Sequence, residues 1–508
     1  MIYQSDAHVF DKYADPKYLD RIVDYENVTQ MWKNSVKTYP SNVALVDGRQ
    51  ITYTELDEEV SRFRSVLLKK GVTAGDKVGV FAPNSIEFAK AFLAITTLGA
   101  VAVLLPPHLP AEAVFGCSTK YGMKALVYHK ALEEKVVLVR EKSPVKLVSA
   151  EETAEEGAPM VEVKGEAPCA VVFTGGTTGK NKGALLSQQA IMRGTKNGCY
   201  GVKGVFEQRY FLVLPLTHVF GLIRNLLTSL YTGSTLYICR DNKNMFREIA
   251  VFKPTSIILV PALAELALNL SKQFKKNMLG EDLKTIVCGA AAVPPYLIRE
   301  YKKLGIDLHP GYGLTESANL VSGNPEPMNK PDSVGFLYPG IQCRVVDGEL
   351  WLKGINMQDC YYGEQEENDA AYSDGWFRTG DLVRFDEDGS LYITGRIKEV
   401  IVLSTGEKIS PAEVEVKFDA LDIVQDCLIY KSEEGGREIL VLEVLPRASE
   451  LAKVQTDDKE KYLRDQINAV NKTLPAFSRV SKIVVRDTDF ARSPSMKILR
   501  DKNGTDKK

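Results

Sequence analysis

No two of the eight cysteines stand in a Cys-x-x-Cys unit, and the five histidines form no His-Glu-x-x-His motif. A zinc site and a disulfide framework are therefore not expected, and scattered thiols suit a reducing cytoplasm. No run of eighteen apolar residues occurs, so no integral membrane span is expected. The first twenty residues are polar and charged and lack the apolar core of a signal peptide. Neither sign of charge dominates: 64 Lys and Arg oppose 66 Asp and Glu, a formal net charge of -2. That balance gives no global electrostatic case for a nucleic-acid partner. Internal repeats and coiled-coil heptads are absent as well.

What is present is a 508-residue chain, 44% hydrophobic and 26% charged, too long for one core and ordinary for an enzyme. Residues 51–105 alternate between helix and strand patterns. Thr54 and Asp57 are read as the N-cap and acidic N3 of a helix whose buried face carries Leu56, Val60, Phe63 and Leu67. Strands are expected at 78–82, 101–105, 170–173, 210–214, 256–260, 285–288, 342–346 and 349–352, with a helix at 88–98 and a loop at 151–168. Alternation of this kind implies an α/β fold, parallel strands with helices on the sheet faces. After Arg396 the character changes. Strands near 399–403, 427–430 and 439–445 mix with helices near 411–418 and 459–472, a small α+β domain of about a hundred residues. The expected division is 1–397 and 398–508.

One run concentrates chemistry: Thr174-Gly-Gly-Thr-Thr-Gly-Lys-Asn-Lys-Gly183, directly after a strand. Glycines let a backbone close on phosphate oxygens, hydroxyls add donors, and Lys180 or Lys182 adds charge. The same composition also makes an ordinary glycine-rich turn. A Walker A loop is disfavoured twice. Thr174 stands where the first glycine belongs, and Asn181 stands where Ser or Thr should follow the lysine.

The run resembles the phosphate loop of the adenylate-forming superfamily, which includes acyl-CoA synthetases, adenylation domains and luciferases. Gly175 replaces the usual Ser, and Asn181 the usual Pro. Four further segments follow in the superfamily's order, so the resemblance spans nearly the whole chain. Gly311-Tyr-Gly-Leu-Thr-Glu316 resembles the motif whose Tyr stacks on adenine, whose Thr meets the α-phosphate and whose Glu holds Mg²⁺. These are Gly311, Tyr312, Gly313, Thr315 and Glu316, with Glu316 as the metal ligand. Gly-Trp-Phe-Arg-Thr-Gly-Asp381 resembles the ribose-binding motif, with Asp381 on the hydroxyls. In 393–401, Arg396 is implied as a ribose or phosphate contact and Lys398 as the hinge. Gly406 is implied to let pantetheine pass. In 492–500, Lys497 is implied as the catalytic lysine, although Met496 replaces the usual Gly and Ala491 the usual Pro.

Leu214-Pro-Leu-Thr-His-Val-Phe-Gly221 resembles the segment lining the acyl pocket. His218 there could touch the carboxylate, gate the pocket, or be a buried structural histidine. Gly289 and Ala290, in a stretch that resembles the one between adenine and acyl tunnel, leave room either for a ligand or for close packing.

The resemblance implies a large N-terminal ATP- and acyl-binding domain of mixed and parallel sheets sandwiched with helices. A smaller mobile C-terminal α+β lid would carry Lys497. It also implies two reactions. A carboxylate attacks ATP to give an acyl-adenylate and pyrophosphate, and then a thiol displaces AMP. The loop residues Thr174, Gly175, Gly176, Thr177, Thr178, Gly179 and Lys182 would steady the pyrophosphate. ATP, Mg²⁺ and coenzyme A are the implied cofactors, and a fatty or aryl acid the implied substrate. The pocket segment has no Asp to pair an α-ammonium, so an amino acid is not expected. The chain ends soon after Lys497, so no fused carrier domain is expected. A separate acyl-carrier protein stands as the alternative acceptor, and a nucleotide-binding protein without catalysis as the alternative class.

Overall fold

The computed structural model describes residues 2–4, 8–12, 16–174, 182–200, 202, 204–403, 407–435, 437–492 and 498–503. Helix starts follow local chemistry. The helix Tyr53–Lys69 is capped by Thr52, whose side chain accepts from the Glu55 amide while Glu55 reaches back to the Thr52 amide. This reciprocal box satisfies donors that would otherwise be orphaned. It also corrects the sequence reading by two residues. Thr54 instead donates to the Pro40 carbonyl, and Asp57 accepts from the Trp32 indole at 2.8 Å. The next helix, Ile86–Thr97, starts at Ser85 and is buried on every side. It is apolar all round because it lies inside the layers rather than over them.

Two large sheets organise the first four hundred residues. In one, the strands Asp307–Tyr312, Thr285–Cys288, Ser256–Leu259, Arg209–Leu212, Thr235–Ile238 and Val43–Val46 are neighbours and parallel. Short antiparallel strands extend both edges. In the other, Val101–Leu104, Lys77–Phe81, Ala125–Tyr128 and Lys146–Ser149 are parallel. Pro168–Phe173 joins them and pairs antiparallel with Gly183–Ser187, which pairs with Cys360–Tyr361. One core fills the space between the layers, with Trp32, Tyr53, Phe63, Phe88 and Phe92 fully enclosed.

A third, antiparallel sheet carries the strands Ile341–Val346, Glu349–Gly354, Trp376–Phe385 and Leu391–Arg396 around its own core. The C-terminal unit is a three-stranded sheet, Val424–Glu434, Arg437–Pro446 and Lys482–Val485, with the helices Pro411–Asp419 and Lys459–Thr473. Its core around Phe418, Leu442, Leu463 and Ile467 is separate. The fold is thus mixed α/β, a large N-terminal part and a smaller C-terminal part. Among the described residues no helix is long and apolar enough to cross a membrane. All eight cysteines are free thiols.

Parallel strands place their ligand-facing ends together. In the first sheet those ends are Leu212, Leu259, Cys288 and Tyr312, and His218, Gly289, Ala290, Gly313, Thr315 and Glu316 follow them.

Candidate active site

Asp381 and Arg396 are direct partners across the antiparallel strands Trp376–Phe385 and Leu391–Arg396, so their side chains share a face. The Arg396 Nε lies 2.7 Å from Asp381 Oδ1, and the Tyr312 hydroxyl donates to Asp381 Oδ2 at 2.5 Å. Asp381 is only 1% exposed, so burial concentrates its charge on these two partners. Its amide donates to Thr379 Oγ1, and the preceding Gly380, at φ +72°, donates to Glu349. Burial and the neighbouring carboxylate push the Tyr312 phenol well above its ordinary value, so the hydroxyl stays a donor. For Arg396, burial works downward, but Asp381, Tyr312 and Glu399 outweigh it and the value rises.

Thr315 and Glu316 lie in a short 3-10 turn, Thr315–Ser317, just past the strand Asp307–Tyr312. Backbone crowding holds this turn in place. A Cβ on Gly313 would fall 1.2 Å from the Asn319 carbonyl, and Ala318 and Asn319 both take positive φ. The Glu316 carboxylate accepts from the Tyr361 hydroxyl at 2.6 Å. Lys182 sits over the other end of that residue, its Nζ 5.0 Å from the Tyr361 ring centroid, and ion-pairs with Glu367. Tyr361 therefore links the glycine-rich run to Glu316. Both its backbone polar groups bond to the Asn368 side chain, at 2.7 and 2.9 Å. Neither Tyr361 nor Glu367 belongs to a segment that drew attention in the sequence. Their signal is spatial, the pairing of Cys360–Tyr361 with the strand after the loop.

Thr174 is buried, and its amide donates to the Lys182 carbonyl at 2.9 Å, which brings the two ends of the run together. Gly175, Gly176, Thr177, Thr178 and Gly179 lie outside the described residues, as do Gly406 and Lys497.

Gly289 ends the neighbouring strand. A Cβ there would meet the Gly311 carbonyl at 2.9 Å and the Phe220 ring at 3.5 Å. Close approach of the Gly311 backbone and the Phe220 ring explains the glycine. Ala290 takes a left-handed φ of +66°, a conformation that costs about 1–2 kcal/mol for a residue with a Cβ. His218 is half-buried in the turn before a π-helix, Phe220–Leu227, and accepts from the Leu222 amide at 2.8 Å through its carbonyl. The π-helix was not foreseen. Such helices are uncommon and concentrate at functional sites. Lys398 is exposed in the turn Ile397–Glu399, where the chain passes into the C-terminal unit.

The structure thus brings Tyr312, Asp381 and Arg396 into one cluster, and Lys182, Tyr361 and Glu316 into a second. His218, Gly289 and Ala290 lie at the ends of the same parallel sheet. The first cluster offers a buried carboxylate, which can accept from hydroxyls, and the second sets a lysine ammonium and a carboxylate on one tyrosine.

Residues 32–362 match the family of AMP-binding enzymes, and residues 398–505 match the AMP-binding enzyme C-terminal domain. The chain is 27% identical over 508 residues to 4-coumarate–CoA ligase-like 8 of Arabidopsis thaliana, covering 92% of this chain and 90% of that one. It is 26% identical over 505 residues to the long-chain-fatty-acid–CoA ligase FadD13 of Mycobacterium tuberculosis, covering 94% and 97%. Its fold resembles that of the anthranilate CoA ligase AuaEII in complex with anthranoyl-AMP. That likeness has a TM-score of 0.84 at 21% identity and covers 94% of this chain and 96% of that one.

Proposed function

The chain belongs to the AMP-binding enzyme family and is an AMP-forming acyl-CoA synthetase, and from that premise we propose that it activates a fatty or aryl carboxylic acid as its acyl-adenylate and passes the acyl group to coenzyme A. The observation that carries this reading is the buried Asp381 held between Tyr312 and Arg396. A carboxylate fixed in this way can accept from the two hydroxyls of a ribose, with the Tyr312 ring free to lie against the base.

In the first step the acid's carboxylate attacks the α-phosphorus, and pyrophosphate leaves. Thr315 donates to the α-phosphate. Thr174, Lys182 and the glycine-rich residues Gly175, Gly176, Thr177, Thr178 and Gly179 hold the departing oxygens. Lys497 is assigned the bridge between the attacking carboxylate and the phosphate oxygens. Positioning and charge stabilisation suffice for such a transfer, and no protein nucleophile is needed. Glu316 would hold Mg²⁺, which, when bound, neutralises phosphate charge. Among the described residues no three His, Cys, Asp or Glu side chains cluster around a metal site. Mg²⁺ takes one or two carboxylates and completes its shell with phosphate and water, so the Glu316 carboxylate, positioned by the Tyr361 hydroxyl, is a donor of the right kind. His218, Gly289 and Ala290 border the acyl group, and Gly311 and Gly313, which let the backbone close up on either side of Tyr312, fix that ring beside the adenine. For the second step, residues 398–508 turn about Lys398 and bring Gly406 to the pantetheine path.

The test is pyrophosphate release over short, medium, long and aromatic acids, followed by thioester formation with coenzyme A. Release that depends on an acid, with a thioester product, supports the reading. No release with any acid contradicts it. Lys497→Ala should abolish the first step and largely spare thioester formation from a supplied acyl-adenylate. Equal loss in both steps would remove Lys497 from its assigned place.

A further inference from the structure

Among the described residues three arginines are more than nine-tenths buried: Arg64, Arg224 and Arg447. Two of them are partnered. Arg64 donates to the Ala158 carbonyl and to Thr97 Oγ1, both at 3.0 Å, and Arg447 pairs with Glu265 at 2.8 Å. Arg224 differs. It is 2% exposed and the Tyr210 hydroxyl is its hydrogen-bond partner, but its Nη1 is enclosed without one, and among the described residues no carboxylate is in ion-pair contact with it. A buried guanidinium is costly to leave uncompensated, and folded chains pair such charges.

Its place in the fold says what could compensate it. The chain leaves the strand Arg209–Leu212, turns at His218, and runs back over the sheet as the π-helix Phe220–Leu227. Phe220 reaches Gly289 at the ligand-facing strand ends. Arg224 follows roughly one turn later, so it faces the same way deeper in the layer. Its charge is felt by Tyr210 and His309, which lie below those ends, and by Tyr338, which stands beside Val321 level with Tyr312. Burial holds the His309 imidazole below its ordinary value, and Arg224 adds to that. Tyr210 stands level with Ser256, Thr285 and Asp307 across the sheet, and His309 stands level with Val287. Those levels are four and two residues below Gly289, about 13 and 7 Å at strand rise.

We propose that Arg224 is a specificity residue for the far end of the acid, and that the acid this chain activates carries a second carboxylate about 7–13 Å from the reacting one. The inference rests on the ligase reading above and names its substrate class. A buried guanidinium whose Nη1 lacks a partner can take a carboxylate through a charge-assisted hydrogen bond. A site built around such a group rejects the analogue that lacks it, because the charge is then left unpaired.

The experiment uses matched pairs: suberic against octanoic acid, and 4-carboxycinnamic against 4-methylcinnamic acid. The full chain is assayed by pyrophosphate release, as wild type, Arg224→Leu and Arg224→Lys. In the wild type the diacid of at least one pair is favoured in kcat/KM, by on the order of a hundredfold. R224L brings that ratio to within a few-fold of one, chiefly by lowering the diacid. R224K keeps part of the preference. Wild-type preference for the neutral acid in both pairs overturns the proposal, as does an equal loss on both acids in R224L. If R224L does not fold, R224K and the wild-type ratio decide in the same way. Release with neutral acids alone contradicts this inference and leaves the ligase reading standing. No release with any acid contradicts the ligase reading itself.

Discussion

Two arginine–carboxylate pairs flank the junction between the large and small parts of the chain, and they are built for opposite purposes. At the candidate ribose corner, Asp381 is 2% exposed at its side chain but Arg396 is 39% exposed. On the other side, Arg447 and Glu265 are both enclosed, at 5% and 12%. Arg447 also donates to the Asp422 carbonyl at 2.5 Å and lies 4.2 Å from the Tyr296 ring. When Arg396 leaves, water can take up its guanidinium and the hydroxyls of a ligand can replace it on the buried Asp381. An enclosed pair cannot part so cheaply, since separating it strands two desolvated charges. The first geometry suits exchange with a ligand, and the second suits holding the C-terminal unit against the helix Pro261–Phe274.

The sharpest way to break the comparison is Asp381→Asn. The side chain keeps its size but loses the charge that Tyr312 and Arg396 share, and one of its two acceptor oxygens becomes a donor. A fall of about a hundredfold or more in kcat/KM for ATP is expected, read by pyrophosphate release. Hydrogen exchange at 423–447 should stay as in the wild type. A small kinetic effect would mean that the pair is structural and that ribose binds elsewhere.

Glu265→Gln probes the other pair. Removing one partner of an enclosed pair costs about 3–5 kcal/mol if the structure stays closed. Here the C-terminal unit can instead swing off and hydrate Arg447, so the loss is limited by the docking free energy. Amide exchange at the contact should rise by roughly a hundredfold, while the thermal midpoint of the large part holds. If that midpoint falls instead, the pair stabilises the large part's own fold and is not a docking contact.

A smaller effect is expected from Tyr361→Phe. The ring under Lys182 remains, but the 2.6 Å bond to Glu316 is lost. A hydrogen bond to a charged group contributes about 1.5–3 kcal/mol, so roughly tenfold more Mg²⁺ should be needed for half-maximal pyrophosphate release. An unchanged Mg²⁺ requirement would leave Tyr361 as packing alone. The exchange signature at Arg447 should not move, which separates the two regions again.

The sequence announced the two pairs unequally, for a physical reason. Asp381 and Arg396 were legible because the segments around them resemble motifs of the superfamily, while the strands that carry them, Trp376–Phe385 and Leu391–Arg396, were not among those expected. The buried strand Thr285–Cys288 was readable to the residue, because a short apolar run between polar turns has few other uses. Glu265 and Arg447 stand 182 residues apart, and each alone reads as a solvated helix or loop charge. Tyr361 was hidden in the same way, since its partners Lys182 and Glu316 come from other elements. The π-helix at 220–227 carries apolar periodicity that an ordinary helix shares, so only the backbone reveals it. The misplaced cap at Thr54 shows the limit at short range. Thr52 and Thr54 are equally good capping residues, and the Glu55 side chain decides between them.

The mildest prediction concerns pH and bears on the same contact. Burial, with Glu265 and Asp489 adding to it and Arg492 opposing, pushes the Asp426 carboxyl up to about 6. An unfolded aspartate titrates near 3.9, so between those values the folded chain holds the extra proton. Its contribution therefore favours folding at acid pH and is lost as pH rises through about 6. Asp426→Asn removes the titration. Its thermal midpoint should gain on the wild type as pH goes from 4 to 7, by no more than a few degrees, and then level off. In a Glu265→Gln background that gain should shrink, because one of the charges raising Asp426 is gone. An undiminished gain would mean that Asp426 answers to its own unit alone, and that the enclosed pair is electrically isolated from the sheet behind it.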